Sequence, residues 1–211
     1  MILAIDTSAG TSVAVVGPDG GVLAEHAVDD TRRHAEVIGT LISACLDDSG
    51  TSVGALGGVA VGMGPGPFTG LRVGIAAANA FAIGAELPVL RVVSHDALAF
   101  EHYAAGGEGL LLVTTDARRR EVYWSAYRGA DELSLPVRAA GPGLAHPEAL
   151  ADAVPGYADY RRRDEERVSA ASVGLLAVRL RANGRELAGP EPLYLRSPDV
   201  TLAAAPKRVG S

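Results

Sequence analysis

The sequence predicts an α/β protein made of two similar lobes, and three observations carry that prediction. Short apolar runs alternate with helix-periodic stretches along the chain. The run at residues 2–5 leads into Asp6 as the run at 110–113 leads to Asp116, and the offset from Asp6 to Val13 equals that from Asp116 to Tyr123. With 211 residues, 48% of them hydrophobic and 21% charged, the chain can bury a core without staples, which excludes disorder and collagen-like repeats. Cys45 is the only cysteine, so an internal disulfide framework is excluded as well.

Residues 2–5, 11–16 and 22–28 are rich in β-formers and are joined by turn signals at Ala9-Gly10 and at Pro18-Asp19-Gly20-Gly21. They predict an antiparallel meander. Val37, Ile38, Leu41, Ile42, Cys45 and Leu46 recur at three- and four-residue spacing, which predicts a helix over 34–47. A buried strand follows at 58–62, then a Gly/Pro-rich loop at 63–69 and a second helix at 71–86. A strand at 89–92 precedes a helix for which Ser94 is the expected N-cap and which runs to about Tyr103.

Ala104-Ala105-Gly106-Gly107 marks the junction, giving expected domains of 1–106 and 107–211, the second smaller and ending in a loose tail from Pro198. In the second half, 110–113 and 123–125 are predicted strands and 146–153 a short helix that starts beside Pro147. Residues 172–182 are predicted helical and 192–196 extended, while 157–167 is too polar to assign from pattern.

The helix at 71–86 is the most informative stretch. Before Glu86 only Arg72 and Asn79 are polar, and they make one narrow stripe; every other position is small or apolar. A helix apolar nearly all round must be covered nearly all round. It is too short for a membrane span and begins with an arginine. One face can meet the sheet and leave the other for a second chain; the alternative is complete burial within its own domain.

The loop Gly62-Met63-Gly64-Pro65-Gly66-Pro67-Phe68-Thr69-Gly70 sits between a strand and a helix N-terminus, where backbone N–H groups can hold an anion. Pro65 and Pro67 have no N–H to give, and no Walker-type lysine follows, so a rigid turn with close packing is the competing reading. Asp6, Gly64, Gly66, Thr69 and Gly70 are the candidate phosphate site, a vestigial one. The only lysine is Lys207, which removes Schiff-base and buried-lysine chemistry.

His95 and His102 stand seven apart, too far along a helix to share an ion, so no metal site and no cofactor is expected. Arg118-Arg119-Arg120 and Arg161-Arg162-Arg163 are basic clusters, solvated by default and RNA-facing within a larger assembly as the sharper alternative. The net charge of −6 argues against a stand-alone nucleic-acid binder. The start lacks a basic leader, so a cytoplasmic protein is expected.

Four segments together resemble the bacterial TsaB (YeaZ) family: Ile2 to Ser8, Gly62 to Gly74, Asp116-Ala117-Arg118 with Glu121-Val122-Tyr123, and Pro192 to Arg196. The Gly-Pro-Gly-x-Phe-Thr-Gly-Leu-Arg-x-Gly stretch is the most specific. The resemblance implies an actin-like (ASKHA) fold of two ribonuclease-H-like lobes, mixed sheets flanked by helices, the second lobe reduced.

It also implies a non-catalytic subunit in the formation of N6-threonylcarbamoyladenosine at position 37 of tRNAs that read codons beginning with A. The implied partners are a TsaD-like transferase and, in the larger complex, a TsaE-like ATPase. Contact with tRNA would come only through the complex, no membrane is involved, and the chain alone would form a homodimer. The implied partner face lies on the helices at 34–47 and 71–86, at Ile38, Leu41, Ile42, Cys45, Val73, Ala76, Ala77, Ala80, Phe81 and Gly84.

The catalytic relative carries a His-x-x-x-His metal pair; here His95 stands near the first place and Ala99 at the second. The alternative function is a small actin-like ATPase or kinase using Asp6, the Gly64–Gly70 loop and Asp116. A metallopeptidase is the third and weakest reading.

Overall fold

Side-chain alternation along the first strands decides how the layers stack. The computed structural model describes residues 1–196, so the tail expected from Pro198 lies outside the described residues. In β1 (Ile2–Asp6) and β2 (Thr11–Val16), Leu3, Ile5, Val13 and Val15 enter one core while Ile2, Ala4, Ala14 and Val16 enter another. A sheet apolar on both faces needs a helical layer on each. The chain continues through β3 (Val22–Val28), α1 (His34–Asp48), β4 (Val59–Gly62), α2 (Phe68–Gly84), β5 (Val89–Val92) and α3 (Ser94–Ala104).

The sheet order is β3-β2-β1-β4-β5, with β1 antiparallel to β2 and parallel to β4. The second half supplies β6 (Leu111–Asp116), β7 (Val122–Ala130), β8 (Pro136–Ala145), α4 (Leu150–Ala153), β9 (Arg161–Glu165) and α5 (Ala170–Ala182). Its sheet order is β8-β7-β6-β9, with two antiparallel pairs and one parallel. It repeats the first four positions of the larger sheet and lacks the fifth. The two-lobe α/β prediction with a reduced second lobe therefore holds, and the strand orders are those of ribonuclease-H-like lobes in an actin-like fold.

Helices α1 and α2 cover one face of the first sheet. Between the sheets lie α3 and α5, and each belongs in space to the other half of the chain: α3 packs on β6–β8, whereas α5 packs on β1, β2 and β4. The shared core joins Ala4, Ala14 and Ala60 of the first sheet to Leu111, Val113 and Tyr127 of the second. Packing crosses the expected junction at 106/107.

Polar ties fix this exchange. The Asp96 carboxylate accepts a two-pronged bond from Arg138 at 3.0 and 2.6 Å and a third bond from Tyr127 Oη at 2.8 Å. The Glu25 carboxylate on β3 accepts from Ser169 Oγ and Ala171 N at the start of α5, where a negative charge suits the helix dipole.

Two local expectations are corrected, and one unassigned stretch finds its structure. Helix α2 begins one turn earlier than expected, with Pro67 as its N-cap, and ends at Gly84. Val93, not Ser94, occupies the N-cap of α3; Ser94 is its first residue, and its hydroxyl is used elsewhere. The unassigned stretch 157–167 contains β9, a strand of charged residues. It forms because β6 offers a buried partner along its length, and Arg162 and Arg163 are matched by Asp164, Glu165 and Glu101.

Helix α2 approaches β1 closely enough that Gly74 has no room for a side chain: a Cβ there would stand 2.1 Å from Thr7 Oγ1, which donates to Gly70 O at 2.8 Å. Gly39, on the outside of α1, faces open space. Gly74→Ala is expected to lower unfolding stability by about 1–3 kcal/mol, although alanine is the better helix former. Gly39→Ala should raise stability by roughly 0.5–1 kcal/mol. Urea unfolding of the two variants checks both signs.

Candidate functional site

The tip of β1 meets the glycine loop and the start of α3. Asp6 is 2% exposed, and its carboxylate is fully engaged: Oδ1 accepts from Ser8 N at 2.8 Å and Ser8 Oγ at 2.5 Å, and Oδ2 accepts from Ser94 Oγ at 2.6 Å. Burial pushes its pKa upward, while the bonds from Ser8 and Ser94 pull it back. Ser94 also accepts from Gly64 N at 3.1 Å and returns its own N–H to Gly64 O at 2.8 Å. One carboxylate thus locks strand, loop and helix together.

The glycines here serve close packing. A Cβ on Gly62 would fall 1.8 Å from Asp6 Oδ2, one on Gly66 2.8 Å from Ser8 Cα, and one on Gly70 2.7 Å from Thr7 O. Gly64 additionally has φ of +91°. Of the five candidate phosphate residues, Asp6, Gly64, Gly66 and Gly70 are buried together, while Thr69 stands exposed at the mouth of a cleft. Asp116, the counterpart of Asp6 in the second lobe, is exposed and accepts from Arg118 N at 2.9 Å, a bond that shapes its own turn.

The cleft, about 660 Å³, opens between the lobes. Its walls are the segment before α1, the first turn of α2, the β6–β7 hairpin and Arg196. The segment ending at Arg196 returns to the glycine loop: Leu193 N donates to Met63 O at 2.9 Å, Tyr194 packs its ring 4.7 Å from that of Phe68, and Arg196 pairs with Glu121.

His95 is fully buried between the lobes, with Nδ1 2.9 Å from Ser125 Oγ and Nε2 2.9 Å from Thr115 Oγ1. Burial, reinforced by the Arg138 charge, pushes its pKa down to about 3, so the ring is neutral. Both nitrogens are occupied by hydroxyls of the second sheet.

Candidate partner residues fall into two groups. Ile38 and Cys45 turn inward against the first sheet, and Cys45 Sγ donates to Val13 O at 3.0 Å; burial pushes that thiol up to about 11. They cannot reach a second molecule, because the apolar stripe of α1 that contains them is the one facing its own strands. Leu41, Ile42, Val73, Ala77 and Phe81 are half-buried, edging the same core. Ala76, Ala80 and Gly84 are exposed. With them stands Ile83, 78% exposed, which the sequence reading missed. Its spacing from Ala76 and Ala80 on the helix is the signal that could have found it.

The family model described as TsaD, tRNA N6-adenosine threonylcarbamoyltransferase, matches residues 6–169. The chain belongs to the TsaD/YeaZ family. An uncharacterized protein of Mycobacterium tuberculosis is 40% identical over 94% of this chain and 92% of its own length. The tRNA threonylcarbamoyladenosine biosynthesis protein TsaB of Escherichia coli is 39% identical over 60% of this chain and 54% of its own length. Among solved structures, YeaZ from Pseudomonas aeruginosa matches with a TM-score of 0.72 at 28% identity, covering 87% of this chain and 92% of that one.

The His95 environment sets a pH dependence with a definite sign. Its folded pKa lies below the unfolded value near 6.5, so its contribution is complete above that pH and is lost as pH falls below it. His95→Gln keeps a donor and an acceptor but cannot titrate. Between pH 6 and 4 the parent should lose stability more steeply than this variant, by about 1.4 kcal/mol per pH unit; urea midpoints across that range measure the difference.

Proposed function

We propose that this chain is a non-catalytic subunit of a tRNA threonylcarbamoyladenosine-forming complex, pairing through α1 and α2 with a TsaD-like transferase. The observation that carries the pairing is the outer row of α2: Ala76, Ala80 and Gly84 are exposed, and Ile83 leaves most of an aliphatic side chain in water. Small residues let a partner helix approach closely, and covering an apolar row of this kind favours association. Family membership and the likeness to TsaB of Escherichia coli support the choice of partner and process.

The non-catalytic assignment is supported by the state of Asp6. An ATPase or kinase would need that carboxylate free to face a metal–phosphate group, and here three donors saturate it away from solvent. A metallopeptidase would need a ligand cluster, and the described residues contain no group of three or more His, Cys, Asp or Glu able to hold an ion. In this reading a TsaE-like ATPase joins the larger complex, and the chain without its partner uses the same α2 face to pair with itself.

Ala76→Glu and Ala80→Glu place a carboxylate on the exposed row without touching the chain's own core; Ala77→Glu, at a half-buried position, would disturb both. Each of the first two is expected to melt like the parent and to weaken co-purification with a TsaD-like partner at least tenfold. Retention of the partner by both variants would show that this face is not the interface.

A further inference from the structure

Arg118 stands where the structure makes the backbone work to put it. The β6–β7 hairpin holds Arg118, Arg119 and Arg120 at φ of 61°, 53° and 63°, three successive non-glycine residues in the left-handed region. The hairpin brings the Arg118 guanidinium to the interlobe cleft, where Nη2 donates to Thr31 Oγ1 at 2.9 Å. Arg32 and Arg196 line the same cleft from two other segments. Arg32 is matched by Asp30 and Arg196 by Glu121, whereas the Arg118 guanidinium has no ion-pair partner among the described residues.

No aspartate or glutamate is among the residues lining the cleft. Asp6, at the tip of β1, is sealed behind Ser8 and Ser94, and Asp116, at the tip of β6, accepts the Arg118 N–H that shapes its turn. Arginines from three segments line the cleft, two of them paired with carboxylates outside the lining, so the Arg118 guanidinium is the one left to receive an oxyanion. The volume exceeds what a lone phosphate needs, and Pro67, Phe68 and Val73 give it an apolar wall that suits a ribose or base face.

We propose that this cleft binds a short unpaired segment of RNA, seating one phosphodiester on Arg118 with Arg32 and Arg196 beside it and using no divalent metal. The net charge of −6 disfavours an extended duplex track and leaves a local contact as the workable mode. The choice of RNA over other phosphates rests on the tRNA-modification reading above.

The test is fluorescence anisotropy of a labelled ten-residue single-stranded oligoribonucleotide with the full chain in EDTA, at two salt concentrations. Arg118→Gly removes the guanidinium while glycine accepts the φ of 61°, so its melting temperature should equal or exceed the parent's. Its affinity should fall at least tenfold, with the slope of log affinity against log salt reduced by about one. Arg181→Ala, on the exposed side of α5 and outside the cleft lining, should bind like the parent.

Absence of binding by the parent, full binding by Arg118→Gly, or binding that requires magnesium would overturn the proposal. Displacement of the oligoribonucleotide by adenosine monophosphate or inorganic phosphate at matched phosphate concentration would also overturn it, in favour of a small-phosphate site. Partner capture is measured on the same proteins. A parent chain that binds the oligoribonucleotide but not the transferase removes the function proposed above and keeps this site; the reverse removes the site and keeps the function.

Discussion

A carboxylate buried at the end of a strand must find donors or give up its charge, and Asp6 finds three within its own chain. Ser8 is supplied by the next turn, but Ser94 comes from the far side of the first sheet and brings the glycine loop with it through paired bonds to Gly64. The loop is then held tightly enough that Gly62, Gly66 and Gly70 touch the β1 turn, and α2 starts from a fixed point above it. The position and tilt of α2, and so of its exposed row, follow from that lock. The same lock withdraws from solvent Asp6, one of the two acidic side chains that a metal–phosphate reading would use.

The exchange of α3 and α5 between halves is the second constraint. Each sheet is finished by a helix from the other half, so neither lobe has a complete core without its neighbour. The polar contacts that complete this packing are specific: His95 between Thr115 and Ser125, Asp96 with Arg138, and Glu101 with Arg163 and Ser172. The cleft is thereby bounded by both lobes, with Arg32, Arg118 and Arg196 brought to it from three segments.

Much of this was legible in the sequence. β2, β3 and β5 lie where alternation and turn residues put them, and the echo of Asp6 by Asp116 anticipated the repeated strand order. β9 was not legible, because its strand character comes from the buried partner β6 and its own side chains are charged. The inward turn of Ile38 and Cys45 was hidden for another reason: a periodic apolar stripe says that a face is covered, not whether by the same chain or another. The role of Ser94 was hidden by distance along the chain, since a serine before a helix looks like a cap until the carboxylate it serves is in place.

Calorimetric titration of the isolated chain with magnesium ATP tests the central claim most directly. With Asp6 saturated by Ser8 and Ser94, no saturable heat is expected up to millimolar nucleotide. Micromolar binding that disappears in Asp6→Asn would show that the carboxylate is free to face a metal–phosphate group, and would contradict the account.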